Sequence, residues 1–588
     1  MSLVRIEPVR PLRGIAMPGH KERSLTRPIE LLEAPGRLYL RVDPETVCVD
    51  LEGAVLGGEL LGRCQGVGVH APTSGRILAI AEAPMCHPAQ LPSPHLVLEP
   101  DGRDAFRRSE PWTRLPEPAE IFRRIESAGL AGLGGAGFPT ALKLKSGAQR
   151  TEALIVNAVE CEPHITADAA LLREHSDTVL RGAALVRRLL GARDIIIAVE
   201  NSMPEAIAAI ERTARDFDED FRLCVLPALY PAGSEKQLTE ALLGREIPAG
   251  GLPADIGALC LNVGTLAALA TAVYQDAPLT HRITTITGSA VPRPGNYCIP
   301  IGAPIEDLLC SAGCAPEDVA RLIVGGSMMG YAISDLRTPA SKTVNCLIAD
   351  DAGAVAPQPP QQPCIRCGFC VEVCPVSLLP QQLYAYSHSQ QYERLEQHRL
   401  ADCIECGACS WVCPSKIPLV EYYRQAKRHL HSAERERLAS DAARVRFESR
   451  NERLSALAQA REAELLERRR ARKLSHADRS AIAEAQQRAS AAAAAADGDG
   501  DGDAAAEPPQ PAGDVNQLGI ALRQAQVQLA ELQRRQAPER DIQHIQGQIE
   551  ALGERLRSAA SESESGSGSE PKPESGSEPK SKSKSGSS

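Results

Sequence analysis

At 588 residues the chain is too long for one core, and a prior of roughly 100–200 residues per domain makes it a protein of about three or four domains. A net charge of −10 with only 3% aromatic residues leaves no basic face or stacking platform, which excludes nucleic acid as a partner. The opening MSLVRIEPVRPLRGIAMPGHKERS has no apolar signal core and no run of about 18 apolar residues occurs, so neither export nor a transmembrane segment of its own is expected.

Residues 30–100 alternate apolar and polar positions between Gly and Pro turns, as in GRLYLRVD, GVGVHAPTSGRILAIAEA and HLVLEP, which predicts a small β module within 1–115. VHAPTSGRILAI resembles a hairpin of the biotinyl and lipoyl barrel-sandwich domains. Those carriers present a lysine at a hairpin tip, and no lysine occurs between Lys21 and Lys143, so the module carries no swinging arm. PEPAEIFRRIESAGL then reads as a helix, with Ile121 and Ile125 on one face. It runs into GLAGLGGAGFPT, where Gly132-x-Gly134-x-x-Gly137 has the spacing of a dinucleotide-binding turn in the wrong context. Such a turn follows a strand and opens a helix, whereas here a helix comes first.

From 152 to about 275 strand and helix alternate: EALIVNA, RDIIIAVE followed by PEAIAAIERTAR, FRLCVLP, and ALCLNV followed by GTLAALATAVY. That alternation predicts an α/β domain over 116–280 with a largely parallel sheet. RITTITGSA, the turn PRPGN, YCIPIG, PIEDLLCSAG and RLIVGGSMMG predict a small mixed domain over 281–350, a β-grasp. APQPPQQP marks the linker 351–363, and clustered cysteines fill 364–425. A charged helical extension follows over 426–486, then a low-complexity Ala and Gly-Asp linker over 487–514. Apolar residues stepping by three and four on either side of Pro538 predict a helical hairpin over 515–558, and composition makes 559–588 a disordered tail.

Eighteen cysteines in a long chain without an export signal point to a reducing compartment and to thiolates for metal. Ten are scattered, such as Cys48, Cys224 and Cys260, and most of these are expected to be buried small hydrophobes. The other eight form two runs. CIRCGFCVEVCP supplies Cys364, Cys367, Cys370 and Cys374, and CIECGACSWVCP supplies Cys403, Cys406, Cys409 and Cys413, each with the C-x2-C-x2-C-x3-C-P spacing. In that pattern three close cysteines wrap three corners of a cubane and the fourth reaches the other cluster. Cys364, Cys367, Cys370 and Cys413 are therefore expected to hold one 4Fe-4S centre, and Cys403, Cys406, Cys409 and Cys374 the second. A pair of structural zinc sites is the weaker reading, because tetrahedral zinc favours paired CxxC elements over four cysteines in a run.

Two clusters make a wire for single electrons, and a flavin is the usual group that takes a hydride as a pair and releases electrons singly. The glycine loop fits that role: glycines admit backbone N–H groups to a phosphate or ring, and Lys143 reaches a phosphate. Gly134 is the position where a side chain would fill that space and oppose a positive φ.

GLAGLGGAGFPTALKL resembles the flavin loop of the NADH-oxidising flavoprotein subunit of respiratory complex I, and VNAVECEP, PAGSEKQL and LNVGTLA follow in the order of that family's later motifs. Over residues 1 to about 420 the chain resembles the RnfC/RsxC family of the Rnf (Rsx) ion-translocating electron transport complex. The resemblance implies a barrel-sandwich-like β module, an α/β domain holding FMN and admitting NADH, an SLBB-like β-grasp, a two-cluster ferredoxin domain and a variable charged extension. It places Gly132, Gly134, Gly135, Ala136, Gly137 and Lys143 at the FMN phosphate and ribityl chain, and Asn157, Asn262 and Thr265 at the flavin. Glu160, Glu162 and Glu235 fall where the family meets NADH and the flavin edge, which makes them the candidate catalytic residues. Ala131 and Leu133 depart from arginines of the complex I protein, and Val159 from an aspartate. The implied protein is a peripheral NADH-linked translocase subunit on the cytoplasmic side of a bacterial inner membrane, working with the other subunits of its complex and with ferredoxin or an equivalent carrier. The alternative is a soluble flavin and iron–sulfur reductase, such as a microcompartment cobalamin reductase.

Overall fold

A computed structural model describes residues 3–112, 114–148, 150–357, 359–493 and 545–554. The chain divides into two compact units, Met1–Asn451 and Glu452–Ser588. In the first, five parallel strands form a sheet in the order Val4–Ile6, Phe221–Leu226, Asp194–Glu200, Ala153–Ala158, Ala258–Asn262. Their apolar runs, such as Ile195, Ile196 and Ile197, are buried on both faces, as helices covering a parallel sheet require. The chain leaves Ala153–Ala158 in one direction, through Asp194–Glu200 to Phe221–Leu226, and then returns to add Ala258–Asn262 on the other side. That reversal creates a switch point, outside whose strand carboxyl ends open α/β sheets bind ligands.

The longest helix of this layer, Ala167–Leu190, is missing from the expected alternation. Its backbone departs from helical geometry at His175, which breaks the apolar period. It packs on helix Val263–Gln275 through Gly182, where an added Cβ would lie 2.1 Å from the Leu266 carbonyl oxygen, so only glycine permits the approach.

The barrel-sandwich module pairs Leu38–Arg41, Pro92–Pro100, Gly75–Pro84 and Ala54–Val55 in one sheet and Leu60–Cys64 with Val67–His70 in another. The β-grasp sheet runs Tyr331–Ile333, Arg321–Val324, Cys346–Asp350, His281–Thr287, Gly295–Pro300, Glu30–Leu31. Two corrections to the expected boundaries follow. Val4–Ile6 and Glu30–Leu31, both inside the β module predicted for 1–115, are edge strands of the α/β and β-grasp sheets. The ferredoxin domain predicted to end at 425 continues into helix Leu419–Ala493, whose Val420, Tyr423 and Ala426 are buried in the cluster region's core. Spacing of three between those residues puts them on one helical face.

Beyond that face the same helix covers 426–486 and the first residues of the 487–514 linker, laced by pairs such as Arg437 with Glu434 and Arg468 with Glu464. Of the hairpin predicted over 515–558, residues 545–554 are helical. The rest of that hairpin, the rest of 487–514 and the tail 559–588 lie outside the described residues. Among the described residues no helix is long and apolar enough to cross a membrane. The scattered cysteines are less buried than expected: Cys224, Cys260, Cys314 and Cys346 are buried, Cys48 and Cys310 are exposed, and the others are half-buried.

Candidate functional site

A cavity of about 640 Å³ opens at the switch point, within the range of roughly 300–1,000 Å³ typical of small-molecule sites. The glycine loop forms one wall, helix Thr140–Gly147 follows it, and the strand ends Asn157 and Asn262 form the floor, as direct neighbours in the parallel pair. Of the predicted residues the cavity gathers Gly132, Gly134, Gly135, Ala136, Lys143, Asn157, Asn262, Thr265, Glu160, Glu162 and Glu235. Gly137 is not among its lining. An added Cβ there would lie 2.8 Å from Thr343 Cγ2, so this glycine serves the fit of the loop against the β-grasp. The positive φ expected at Gly134 occurs instead at Gly135 (+104°) and Gly137 (+66°).

The loop is held from behind. Thr265 Oγ1 accepts the Leu133 N–H at 2.9 Å, and Asn262 Oδ1 caps its own helix by accepting from Gly264 N–H at 2.9 Å. Asn157 donates to the Gly233 carbonyl and accepts from Val159 N–H, tying the strand end to the turn that carries Glu235. These three side chains thus shape the cavity while already bonded. Ala131, Leu133 and Val159 are buried, so the positions that resemblance associates with charged groups are apolar filling.

Each predicted acid has a partner. Glu162 accepts from the Met328 and Met329 N–H groups at 3.1 and 3.0 Å, which locks it to the β-grasp loop. Glu235 Oε1 lies 2.6 Å from Lys143 Nζ, pairing one candidate NADH residue with the candidate phosphate residue. Glu160 accepts from Asp168 N–H at 2.9 Å and Ala169 N–H at 3.3 Å, at the N-terminus of helix Ala167–Leu190, and its backbone carbonyl accepts from Lys21 Nζ. Burial, and then the charge of Asp168, hold the Glu160 carboxyl well above its ordinary value of 4.5. Burial likewise raises Glu162 and Asp168, and pushes the Cys161 thiol up to about 12.

A carboxyl raised by folding contributes stability that is complete below its ordinary pKa and is lost as pH rises through the raised value. Glu160→Gln keeps an oxygen for the Asp168 N–H and removes that loss. Its melting temperature relative to the parent is therefore expected to rise between about pH 5 and about pH 9. A pH-independent difference in thermal melts would contradict the assignment.

Sequence reasoning missed Thr140. Its Oγ1 is buried without a hydrogen-bond partner in the described structure, on a residue that lines the cavity at the start of helix Thr140–Gly147. A hydroxyl immediately after the glycine loop was the available signal. An added Cβ on Gly135 would meet no protein atom within 4 Å, so the loop leaves room for a group against its backbone. An orphaned hydroxyl, a helix N-terminus, Lys143 and a bare glycine backbone form a set of donors that fits the phosphate end of FMN.

Two smaller cavities lie in the cysteine region. One is lined by Cys403, Cys406 and Cys409 with Cys374, the other by Cys364, Cys367 and Cys370 with Cys413. Each thus draws three thiols from one run and the fourth from the other. The runs fold alike: Arg366 and Glu405 share φ +57°, and Gly368 and Gly407, each opening a short helix, have φ +89° and +80°. Among the described residues no three Cys, His, Asp or Glu side chains converge closely enough to hold a single metal ion. Four thiols lining each cavity, three from one run and one from the other, are the ligand set of a cubane. Cys374, Cys406 and Cys409 are buried, whereas Cys364 and Cys367 are exposed, so there is an inner and an outer site. Ile404 lines both the large cavity and the inner thiol cavity.

Comparison with known families agrees segment by segment. Residues 10–103 match the "RnfC Barrel sandwich hybrid domain", 125–271 the "Nuo51 FMN-binding domain", 283–332 the "SLBB domain" and 361–417 the "4Fe-4S dicluster domain". The chain is accordingly a flavin and iron–sulfur electron-transfer protein. It is 43% identical over 484 residues to the RnfC protein of the ion-translocating oxidoreductase complex of Yersinia pestis bv. Antiqua, covering 81% of this chain and 78% of that one. The corresponding protein from Pseudomonas aeruginosa is 44% identical over 452 residues, covering 75% of this chain but only 58% of the relative. The chain belongs to this RnfC family. Among solved structures, an NAD+-reducing NiFe-hydrogenase in the H2-reduced state aligns at 22% identity with 54% of this chain and 61% of its own, with a TM-score of 0.37, too loose a fit to place any residue.

Proposed function

We propose that the chain passes electrons between NADH and a ferredoxin-type carrier, as a peripheral subunit of a membrane-bound ion-translocating oxidoreductase on the cytoplasmic face of a bacterial inner membrane. The observation that carries this reading is the shared wall at Ile404, which makes the large cavity and the inner thiol cavity neighbours, and it supports a path from flavin to inner and then outer thiols. The other subunits of the complex are its partners, and the exposed outer site is where a carrier or a partner protein exchanges electrons.

Bound FMN supplies the conversion of an electron pair into single electrons. The chain's own residues do the rest. The N-terminus of helix Thr140–Gly147, Thr140 and Lys143 would hold the phosphate, and Lys143 turning to it would release Glu235, with which it now pairs, within the cavity wall. The backbone at Gly134, Gly135 and Ala136 lets the ring and ribityl chain lie close. Glu160, raised by burial, takes up or holds a proton near neutral pH, and Glu162 fixes the β-grasp loop as the opposite wall against which NADH enters. Cys364, Cys367, Cys370 and Cys413 ligate the outer cluster, and Cys403, Cys406, Cys409 and Cys374 the inner one.

Anaerobic purification is expected to give about eight iron and about eight sulfide per chain, with a noncovalent FMN. Stoichiometric NADH is expected to bleach first the flavin and then the cluster absorbance. Full cofactors with no response to NADH would reject the donor and leave the electron-transfer role standing.

A further inference from the structure

Between the large cavity and the inner thiols stands one aromatic side chain. Tyr230 lines the cavity, is only 2% exposed, and its hydroxyl donates to the backbone carbonyl of Cys406. Its ring packs in a small apolar cluster with Ile15, Cys406 and Ala408, against which Cys161 and Ile404 also lie. The backbone is fixed as well: Tyr230 and Ile15 exchange N–H to carbonyl bonds at 2.9 and 2.8 Å, and an added Cβ on Gly14 would sit 2.2 Å from the Tyr230 oxygen. Nearby, Gln237 donates to the Pro375 carbonyl and Arg13 to Ser377 Oγ, so the inner thiol region is held at three places, two from the α/β domain and one from the N-terminal stretch. Of these three bonds, that of Tyr230 alone ends on one of the inner ligand cysteines.

We infer that Tyr230 is the positioning residue for electron passage between the flavin cavity and the inner cluster, holding the Cys406 segment at a fixed gap and tuning that cluster through the Cys406 carbonyl. The inference rests on the flavin and two-cluster reading above. Tyr230 itself gains and loses no electron: each electron that leaves the flavin arrives at the cluster, and the hydroxyl donates to the Cys406 carbonyl. A hydroxyl dipole with its positive end toward a ligand residue's carbonyl favours the more negative, reduced cluster, hydrogen bonds around the cluster being one of the factors that set its potential. Its loss lowers the potential. Electron transfer also slows steeply with distance, so a segment no longer pinned passes electrons more slowly.

The test is Tyr230→Phe in the full chain prepared anaerobically, since it removes one oxygen and keeps the ring's packing. Tyr423→Phe is the control: Tyr423 lines the same thiol cavity but its hydroxyl donates to Pro380, which is not a cluster ligand. Flavin and iron are counted, both clusters are titrated by EPR, and their reduction after mixing with NADH is timed. Cys367→Ser, which alters the exposed outer site, assigns the two signals. The expected result is full cofactor content, a lower potential for the inner cluster alone, unchanged flavin reduction and severalfold slower cluster reduction. Parental potentials and rates in Tyr230→Phe, or equal shifts in Tyr423→Phe, would overturn the inference. A parent protein without iron or flavin would overturn the functional reading and this inference with it.

Discussion

Cys374→Ala is expected to cost the cluster that lies farther along the sequence and to spare the one made by its immediate neighbours. The inner cavity takes its fourth thiol from Cys374, while Cys364, Cys367 and Cys370 are completed by Cys413. Iron should fall from about eight to about four per chain, with one of the two EPR signals lost. Cys413→Ala is expected to remove the opposite signal. The two variants should also differ in function, because only the inner thiol cavity shares a wall, at Ile404, with the large cavity. In Cys374→Ala the surviving cluster should be reducible by dithionite but not by NADH, whereas in Cys413→Ala the surviving inner cluster should still respond to NADH. Damage confined to the Cys364 site in Cys374→Ala would sink both the ligand exchange and the serial order.

The second large effect is expected from Gly135→Val. At φ +104° a β-branched residue is strained by about 1–3 kcal/mol, and its side chain would project into the space the loop leaves for the cofactor. Flavin should fall from about one per chain to near zero, with iron unchanged and only a modest loss in melting temperature. Gly137→Val separates cradle from backbone strain, since that position also has positive φ but faces Thr343 and does not line the cavity. It should lower stability and keep most of the flavin. Parental flavin in Gly135→Val would reduce the loop to a connection between helices.

What the sequence made legible was local. Each cysteine run carries its spacing within a dozen residues, and that spacing implies a fourth thiol supplied across the pair, so cavities lined by three thiols of one run and one of the other were foreseeable down to Cys374 and Cys413. The glycine loop was legible as a loop in the wrong context, and the switch point explains that context: the strand ends at Asn157 and Asn262 form the floor, and the loop arrives from a helix to cover it. What was hidden depends on partners far apart in the chain. Glu162 reads as a free acid until the β-grasp loop supplies Met328 and Met329 N–H groups. Thr140 looks like any helix-opening threonine, and only three dimensions show its hydroxyl to be orphaned. Val4–Ile6 is too short for any periodicity, and its place in the sheet is set by Phe221–Leu226.

That last strand has a consequence for how the protein is made. Val4–Ile6 is translated well before its partner, since Phe221–Leu226 follows only after the whole barrel-sandwich module and most of the α/β layer. Domains ordinarily fold as units in order of synthesis, but here this strand has to wait, unpaired, for a distant partner. Glu30–Leu31 waits longer still, for Gly295–Pro300. A fragment starting after the barrel-sandwich module would therefore expose bare edges on both the α/β and β-grasp sheets and invite strand addition from other molecules. These two strands act as a seam sewn last, so a flavin domain cut at residue 116 would leave both of them behind.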